Sequence, residues 1–337
     1  MHQTTILESK ELERQTMSLL ERVTRKIDTI RKDAKIYKPY YNTTYGPSGQ
    51  QPPIYNRNGE PMEMFFIRDM HTAHIPYGNV GKHFLWDRYN WGLDTHFYTH
   101  RAMLETLGTP TRKYGMFGES RSIVPKDYSI FEKHKGLEKD FEAVFTYDEQ
   151  LLNTLSNAKF YPLSAEVWYG KDAPEAISDT LYQSKDKNVS ILCSDKQMCE
   201  QHKVRAEIAR YCKTNHKADV MGKFDGGSYV TAEEPLQKYR FSFAIENEIS
   251  DYYFTERLTS CLMAQTIPIY MGARKIDEFF NPDGFIKITK ADLNDLDKVL
   301  KQCTKEEYER RLPAILDNYE RVQCYRNMQD YLYEKLL

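Results

Sequence analysis

The segment from Tyr239 to Gly272 brings together residue types that could hold a phosphorylated sugar. A predicted buried strand ends at Glu246, and after a polar loop Thr255 is placed to cap a helix. Amide groups at a helix N-terminus point outward unpaired and carry partial positive charge, so they bind phosphate. Arg257 in the first turn would add a bidentate phosphate partner, and Glu256 could accept hydrogen bonds from sugar hydroxyls. These are the parts that a nucleotide-sugar site needs.

The same residues also allow a plainer interpretation. A glutamate in the first turn stabilises a helix through its dipole, whatever the protein does. The chain contains neither GxGxxG nor GxxxxGK[ST], so the standard dinucleotide fingerprint and the P-loop are both excluded. Residue chemistry alone therefore leaves open both a ligand site and a merely stabilised helix end.

The order and spacing of these residues resemble the signature of the α-1,3-fucosyltransferases, glycosyltransferase family 10. That signature reads roughly F-x-F-E-N-S, a short loop, D-Y-x-T-E-K, a helix and P-x-x-x-G. The chain departs from it with Ile245 for the second Phe, Glu248 for Ser and Arg257 for Lys. The stretch 279–288 also resembles the family. The residues that match the signature are Phe243, Glu246, Asn247, Asp251, Tyr252, Thr255, Glu256, Pro268 and Gly272.

Residues 189–205 resemble the family's strand, serine turn and following arginine, which contacts the donor diphosphate. Arg205 is the matching residue, and Lys203 or Arg210 would take its place if the register were shifted. The resemblance thus implies a donor-binding set drawn from both stretches, namely Arg205, Glu246, Asn247, Tyr253, Glu256 and Arg257.

A candidate catalytic carboxylate lies in the first half, where residues 115–120 and 127–132 resemble the family more weakly. The matching residue is Glu119, which follows Gly118 at the end of an apolar strand and is therefore expected at the rim of a sheet. One carboxylate must remove the acceptor hydroxyl proton while the donor's sugar bond breaks. Glu119 could instead be an ordinary surface glutamate, and the alternative bases are Glu105, Asp94 and Asp127.

The elements that must position these residues follow from hydrophobic periodicity. Strands and helices alternate in the second half, which predicts a parallel sheet covered on both faces, with ligands beyond the carboxyl ends of its strands. The first half is predicted to hold a strand at 64–70 and a helix over 86–107. The resemblance implies an α/β fold of the GT-B type, two Rossmann-like domains facing a cleft. We expect an N-terminal helix and connector over 1–62, an acceptor-binding domain over 63–170, a donor-binding domain over 171–325 and a C-terminal helix over 326–337.

Composition excludes other classes of protein. The formal net charge is −2, so the chain offers no basic field for nucleic acid. Its apolar runs are too short for a transmembrane segment. The amphipathic pattern over residues 5–34 favours a helix that docks on the protein's own surface, self-associates or lies on a membrane. Its 6 cysteines are scattered without a CxxC pair, which indicates a reducing, cytoplasmic compartment.

The resemblance implies an inverting transfer of fucose from GDP-fucose to a hydroxyl of a glycan acceptor. Glu119 would deprotonate that hydroxyl, while Arg205, Arg257 and the helix beginning near Thr255 stabilise the charge that develops on the diphosphate. No cofactor or metal is then required, although a divalent cation could stimulate the reaction. The expected partners are a nucleotide sugar and a glycan.

Other functions compete with this one. A metal-dependent hydrolase could use His71 and His74 together with His96 and His100, which are four apart on the predicted helix, although HExxH is absent. The stretch 295–297, Asp-Leu-Asp, has the letters of a metal-binding motif of other transferases, but it lies in an amphipathic segment. A non-catalytic carbohydrate-binding protein would also suit the aromatic content of 13%.

Overall fold

Two α/β units, each built on a mainly parallel sheet, make up the computed structural model, which describes residues 23, 27, 54–55, 59–69, 81–88, 90–171 and 173–337. The helix expected over residues 5–34 lies outside the described residues except for Val23 and Ile27, which are helical and exposed. His71 and His74 also lie outside them. Among the described helices, none has the length and apolar character needed to cross a membrane.

The first sheet has the strand order β1-β2-β4-β5-β6-β7, and β3 also pairs with β2. Only β1 runs antiparallel within this described sheet. Its strands are β1 Ile54–Tyr55, β2 Pro61–Arg68, β3 Phe84–Asp87, β4 Thr95–Thr99, β5 Arg112–Met116, β6 Ala143–Thr146 and β7 Ala158–Phe160. Short helices follow β5 and β6, namely α1 Pro125–Tyr128, α2 Ile130–Lys133 and α3 Glu149–Thr154.

The helix predicted over residues 86–107 is wrong, because this stretch contains β3, β4 and a 3₁₀ turn at His100–Leu104. All five residues of β4 are buried although Thr95, His96 and Thr99 are polar, so the strand lacks the continuous apolar run that is typical of a parallel strand covered on both faces. Trp91 and Leu104, which fit a helical stripe in the sequence, are both exposed. Periodicity alone does not separate a short buried strand from a helix.

The second sheet is entirely parallel, in the order β12-β11-β10-β8-β9. Its strands are β8 Lys187–Leu192, β9 Asp219–Met221, β10 Tyr239–Ile245, β11 Ile267–Met271 and β12 Ile286–Lys287. The helices of this half are α4 Glu200–Thr214, α5 Glu256–Met263, α6 Leu296–Leu300, α7 Lys305–Arg310, α8 Leu312–Val322 and α9 Met328–Leu336. The alternation of strands and helices predicted for this half is confirmed.

The last helix, α9, returns to the first unit. Leu332 has no exposed surface and belongs to an apolar cluster that joins both units. Tyr161 donates its hydroxyl to the Met328 carbonyl at 2.8 Å, and the Lys82 amide donates to Asp330 at 2.6 Å. Helix α9 therefore packs against the first unit.

The carboxyl ends of the two sheets face each other across a cleft. The rings of Tyr147, which follows β6, and Tyr253, from the loop after β10, have centroids 4.6 Å apart. Arg274, beyond β11, pairs with Glu149 at 3.1 Å. The ends of the strands, where α/β proteins bind ligands, thus meet at one place.

Candidate active site

A cavity of about 370 Å³ lies at the carboxyl ends of β8 and β10, against α4 and α5. Three of the six predicted donor-binding residues, Arg205, Glu256 and Arg257, form part of its wall. Ser194 and Lys196 from the turn after β8 also line it. The cavity therefore combines cationic side chains, a hydroxyl and a carboxylate within one enclosure of the second unit.

Arg205 projects from α4 and is 5% exposed. Its guanidinium donates through Nε and Nη2 to the carbonyl of Ile245, at the end of β10, and through Nη2 to Asn247 Oδ1 at 3.1 Å. Burial, followed by the charge of Arg257, lowers the pKa of Arg205 to about 10, so the side chain stays cationic at neutral pH. The alternatives Lys203 and Arg210 lie on the exposed face of α4.

Glu246 lies beneath the cavity, with no exposed surface. Its carboxylate accepts the backbone N–H of Thr255 at 2.8 Å and the hydroxyl of Thr255 at 2.7 Å. Burial raises the pKa of Glu246 to about 7, although Arg257 and Thr255 oppose the rise. Glu246 therefore holds Thr255, the residue that caps α5, and it is not part of the cavity wall.

Thr255 caps α5, as the sequence predicts, because its hydroxyl accepts the backbone N–H of Arg257 at 3.3 Å. Arg257 Nη1 lies 3.2 Å from Glu256 and 3.9 Å from the carboxylate of Glu246. The Arg257 side chain is 28% exposed, so its cationic end can reach a ligand while its base is fixed. The result is a cationic helix N-terminus, which is suited to phosphate.

Asn247 and Tyr253 lie in the loop between β10 and α5 and not in the cavity wall. Asn247 is engaged by Arg205, whereas Tyr253 is 2% exposed and packs on Tyr147 of the first unit. Burial raises the pKa of Tyr253 well above its usual range, and the nearby charge of Glu119 adds to the rise. The loop between β10 and α5 is thus held at Asn247 by Arg205 and at Tyr253 by packing on the first unit.

Glu119 stands at the cleft, in the turn after β5, and it is partly buried. Its charge also acts on Arg257 of the second unit. The alternative bases are less well placed. Glu105 is exposed and pairs with Arg68 at 2.8 Å, Asp94 is exposed, and Asp127 is buried against Arg101 at 2.7 Å.

The aromatic residues of the cavity wall are not among the site residues predicted from the sequence. Trp168 and Tyr229 line the cavity and are 40% and 73% exposed. For Tyr229 the available signal was the glycine-rich stretch 222–229, which indicates a loop, and binding residues are often found on loops.

Among the described residues, those predicted for the metal-dependent alternatives are not arranged as the sequence suggested, and His71 and His74 lie outside this part of the chain. His96 lies on β4 and His100 begins the turn after it, so the two do not share a helix. Asp295 caps α6, and Asp297 pairs with Lys217 at 2.9 Å on the surface. Within the described part of the chain, no group of three His, Cys, Asp or Glu side chains is arranged to hold a metal ion.

Two curated relatives each match a limited segment of this chain. A segment of 95 residues, 27% of this chain, is 36% identical to a fucosyltransferase-like protein of Arabidopsis thaliana, and covers 18% of that protein. Another of 63 residues, 19% of this chain, is 32% identical to an alpha-(1,3)-fucosyltransferase of Helicobacter pylori, and covers 13% of it. The chain thus matches less than a fifth of the length of either relative.

A solved structure extends the likeness to both units. The crystal structure of an alpha1,3-fucosyltransferase with GDP-fucose superposes with a TM-score of 0.50 at 14% identity, covering 86% of this chain and 94% of the other. At this identity the likeness concerns the fold, and the predicted GT-B arrangement is confirmed. Residues 182–311 match the family described as "Glycosyltransferase family 10 (fucosyltransferase) C-term". This family match covers the part of the chain that contains the second sheet.

Proposed function

We propose that this protein is an inverting glycosyltransferase that moves fucose from GDP-fucose to a hydroxyl group of a glycan. The proposal is supported by the cavity that contains Arg205, Arg257 and the N-terminus of α5, and by the turn after β5, which bears Glu119 and contacts the second unit through the Ser122–Glu248 hydrogen bond. A base on the first unit and a cationic phosphate site on the second would then act together where the two units meet.

The second unit would bind the donor. Arg205 uses Nε and Nη2 on the loop, which leaves Nη1 to bind the diphosphate, and Arg257 would bind it from the first turn of α5. These two cations would stabilise the charge that develops on departing GDP, so the reaction should proceed without a metal. Glu256 would accept hydrogen bonds from hydroxyls of the donor.

The first unit would bind the acceptor. Glu119 would take the proton from the acceptor hydroxyl as its oxygen attacks the anomeric carbon from the face opposite GDP. We propose a cytoplasmic location because five of the free thiols are buried in the fold, as is usual for proteins of a reducing compartment.

The test is a panel of nucleotide sugars scored by thermal shift and by hydrolysis, with and without EDTA. GDP and GDP-fucose should stabilise the protein, and GDP-fucose should be turned over even with EDTA present. Glu119→Gln should keep GDP affinity and lower turnover by ~10²–10⁴-fold. The matched control is Glu105→Gln, which changes an exposed carboxylate and should leave turnover unchanged.

Two outcomes would overturn the proposal in different ways. Binding of GDP without turnover of any sugar donor would favour a carbohydrate-binding protein. Near-normal turnover by Glu119→Gln would remove Glu119 as the base.

A further inference from the structure

The backbone at His100 has an unusual conformation. Its φ is +53°, a left-handed value that residues other than glycine seldom adopt. His100 directly follows β4 and has no exposed surface. Such a conformation persists only where surrounding contacts enforce it, and it often marks a functional region.

The ring of His100 is bonded to the turn that carries Glu119. Its Nε2 accepts the backbone N–H groups of Gly118 and Glu119, each at 3.2 Å. An atom that accepts two N–H donors carries no proton, so the proton of this neutral ring lies on Nδ1. Nδ1 lies 3.4 Å from a carboxylate oxygen of Asp127, whose negative charge favours a proton on the ring nitrogen that faces it.

Asp127 is fixed in turn. It is 2% exposed, and its other carboxylate oxygen lies 2.7 Å from Nε of Arg101. The His100 ring packs edge-on against Phe117 and Tyr128, with centroids 5.2 and 6.2 Å away. The ring is therefore fixed in position and in tautomer.

The carbonyl groups of the same turn are held from the other side. Tyr128 donates its hydroxyl to the Glu119 carbonyl at 2.6 Å, and Ser164 donates its hydroxyl to the Gly118 carbonyl. The N–H and C=O groups of Gly118 and Glu119 thus all have buried or partly buried partners. This leaves the Glu119 backbone little freedom to rotate.

We propose that His100, kept neutral and protonated on Nδ1 by Asp127, is a positioning residue that fixes the turn bearing Glu119. This inference rests on the proposed role of Glu119 as the base. A general base displaced by a fraction of an ångström loses much of its effect, so releasing the turn should slow the chemical step and leave donor binding intact.

Two substitutions separate the functions of the ring nitrogens. His100→Gln places an amide oxygen close to the position of Nε2, so it should keep an acceptor for the turn. His100→Asn reaches only as far as Nδ1 and leaves the two N–H groups without their acceptor. We expect kcat to fall by ~10²-fold in His100→Asn and by less than ~10-fold in His100→Gln, with the Kd for GDP unchanged in both. The exposed His134→Asn is the control and should leave kcat unchanged.

A direct measurement keeps the proposal testable if one variant does not fold. In ¹⁵N-resolved NMR of the full chain, His100 should show a protonated Nδ1 and an unprotonated Nε2. Finding the proton on Nε2, or unchanged kcat in a folded His100→Asn protein, would overturn the proposal. If the wild-type chain transfers no sugar, the proposed function fails separately, and the NMR spectrum still tests whether His100 holds the turn.

Discussion

Glu248 of the second unit accepts the backbone N–H of Ser122 in the first unit at 2.8 Å. The same carboxylate oxygen lies 3.5 Å from the hydroxyl of Tyr147. Glu248 is partly buried, and this burial raises the pKa of its carboxyl group. The signature that this stretch resembles has serine here, so this departure from the signature links the loop between β10 and α5 to the turn after Glu119.

Glu248→Ser, which restores the family residue, should weaken this link across the cleft. A hydrogen bond to a charged group contributes about 1.5–3 kcal/mol, so we expect kcat/KM to fall by ~10-fold or more. The Kd for GDP should stay the same, because Glu248 does not line the cavity. Steady-state kinetics and calorimetry measure both quantities, with the exposed Glu207→Ser as control. Loss of GDP affinity in Glu248→Ser would contradict this role.

Arg205→Lys should lower GDP affinity by ~10-fold or more although the charge is kept. A lysine ammonium cannot bridge the Ile245 carbonyl and Asn247 while also binding phosphate, as a planar guanidinium can. Titration calorimetry with GDP measures the effect. Arg210→Lys makes the same change on the exposed face of α4, and equal losses in the two variants would show that Arg205 has no special role.

Glu246 should make the stability of the protein depend on pH. Its pKa rises from 4.5 to about 7 on folding, so the folded state binds this proton more tightly than the unfolded chain. The stability contributed by this group is fully present below pH 4.5 and is lost as the pH rises to about 7. The change amounts to about 3 kcal/mol.

Urea unfolding of the wild-type protein and Glu246→Gln between pH 5 and 8 tests this dependence. Glutamine keeps the size of the side chain and removes its titration, so the variant should show a flatter profile over that range. Parallel profiles for the two proteins would mean that Glu246 does not titrate as described.

Gly272→Ala should disturb the packing around Glu246, beneath the cavity. A Cβ atom at Gly272 would lie 2.5 Å from Glu246 Cγ and 2.5 Å from the Tyr270 hydroxyl, so one of these side chains must move. We expect a loss of about 1–3 kcal/mol in the free energy of unfolding, together with weaker GDP binding. In Gly92→Ala the nearest atom is an Asn90 side-chain oxygen at 3.2 Å, and this control should be milder. Wild-type stability in Gly272→Ala would show that the packing around Glu246 relaxes freely.

Leu332→Ala tests whether α9 is part of the first unit's core. Leu332 has no exposed surface, so truncation should lower the free energy of unfolding by about 2–5 kcal/mol. Leu337→Ala removes the same atoms at a side chain that is 44% exposed, and it should change stability by less than about 0.5 kcal/mol. Equal effects on chemical denaturation would show that the helix is only loosely attached.

Some features could be predicted from the sequence because neighbouring residues determine them. Thr255 caps α5 through a bond to Arg257, two positions away, so the local pattern was sufficient. The strands of the second sheet are rich in apolar residues and are separated by polar turns, a pattern that favours burial of both faces. The residues of the loop between β10 and α5 could be matched to the family signature because they lie within one short segment.

Other features depend on contacts between residues that are far apart in the chain. Glu246 was expected to contact the donor, but its side chain points inward to Thr255, a direction that a strand-end position does not determine. The hydrophobic pattern over 86–107 predicted a helix, but part of this stretch forms strands that are packed on both faces. His96 and His100 were paired by their spacing, yet backbone geometry separates them and places His100 against Gly118.

The sequence by itself therefore determined the resemblance to a known family, the alternation of the second half and the identity of the charged residues at the helix N-terminus. Only the tertiary structure decided which of those charges line the cavity, which one lies beneath it and how Glu119 is held. The physical reason is that secondary structure and caps follow from near neighbours, whereas burial, side-chain direction and contacts across a cleft arise only when distant segments pack together.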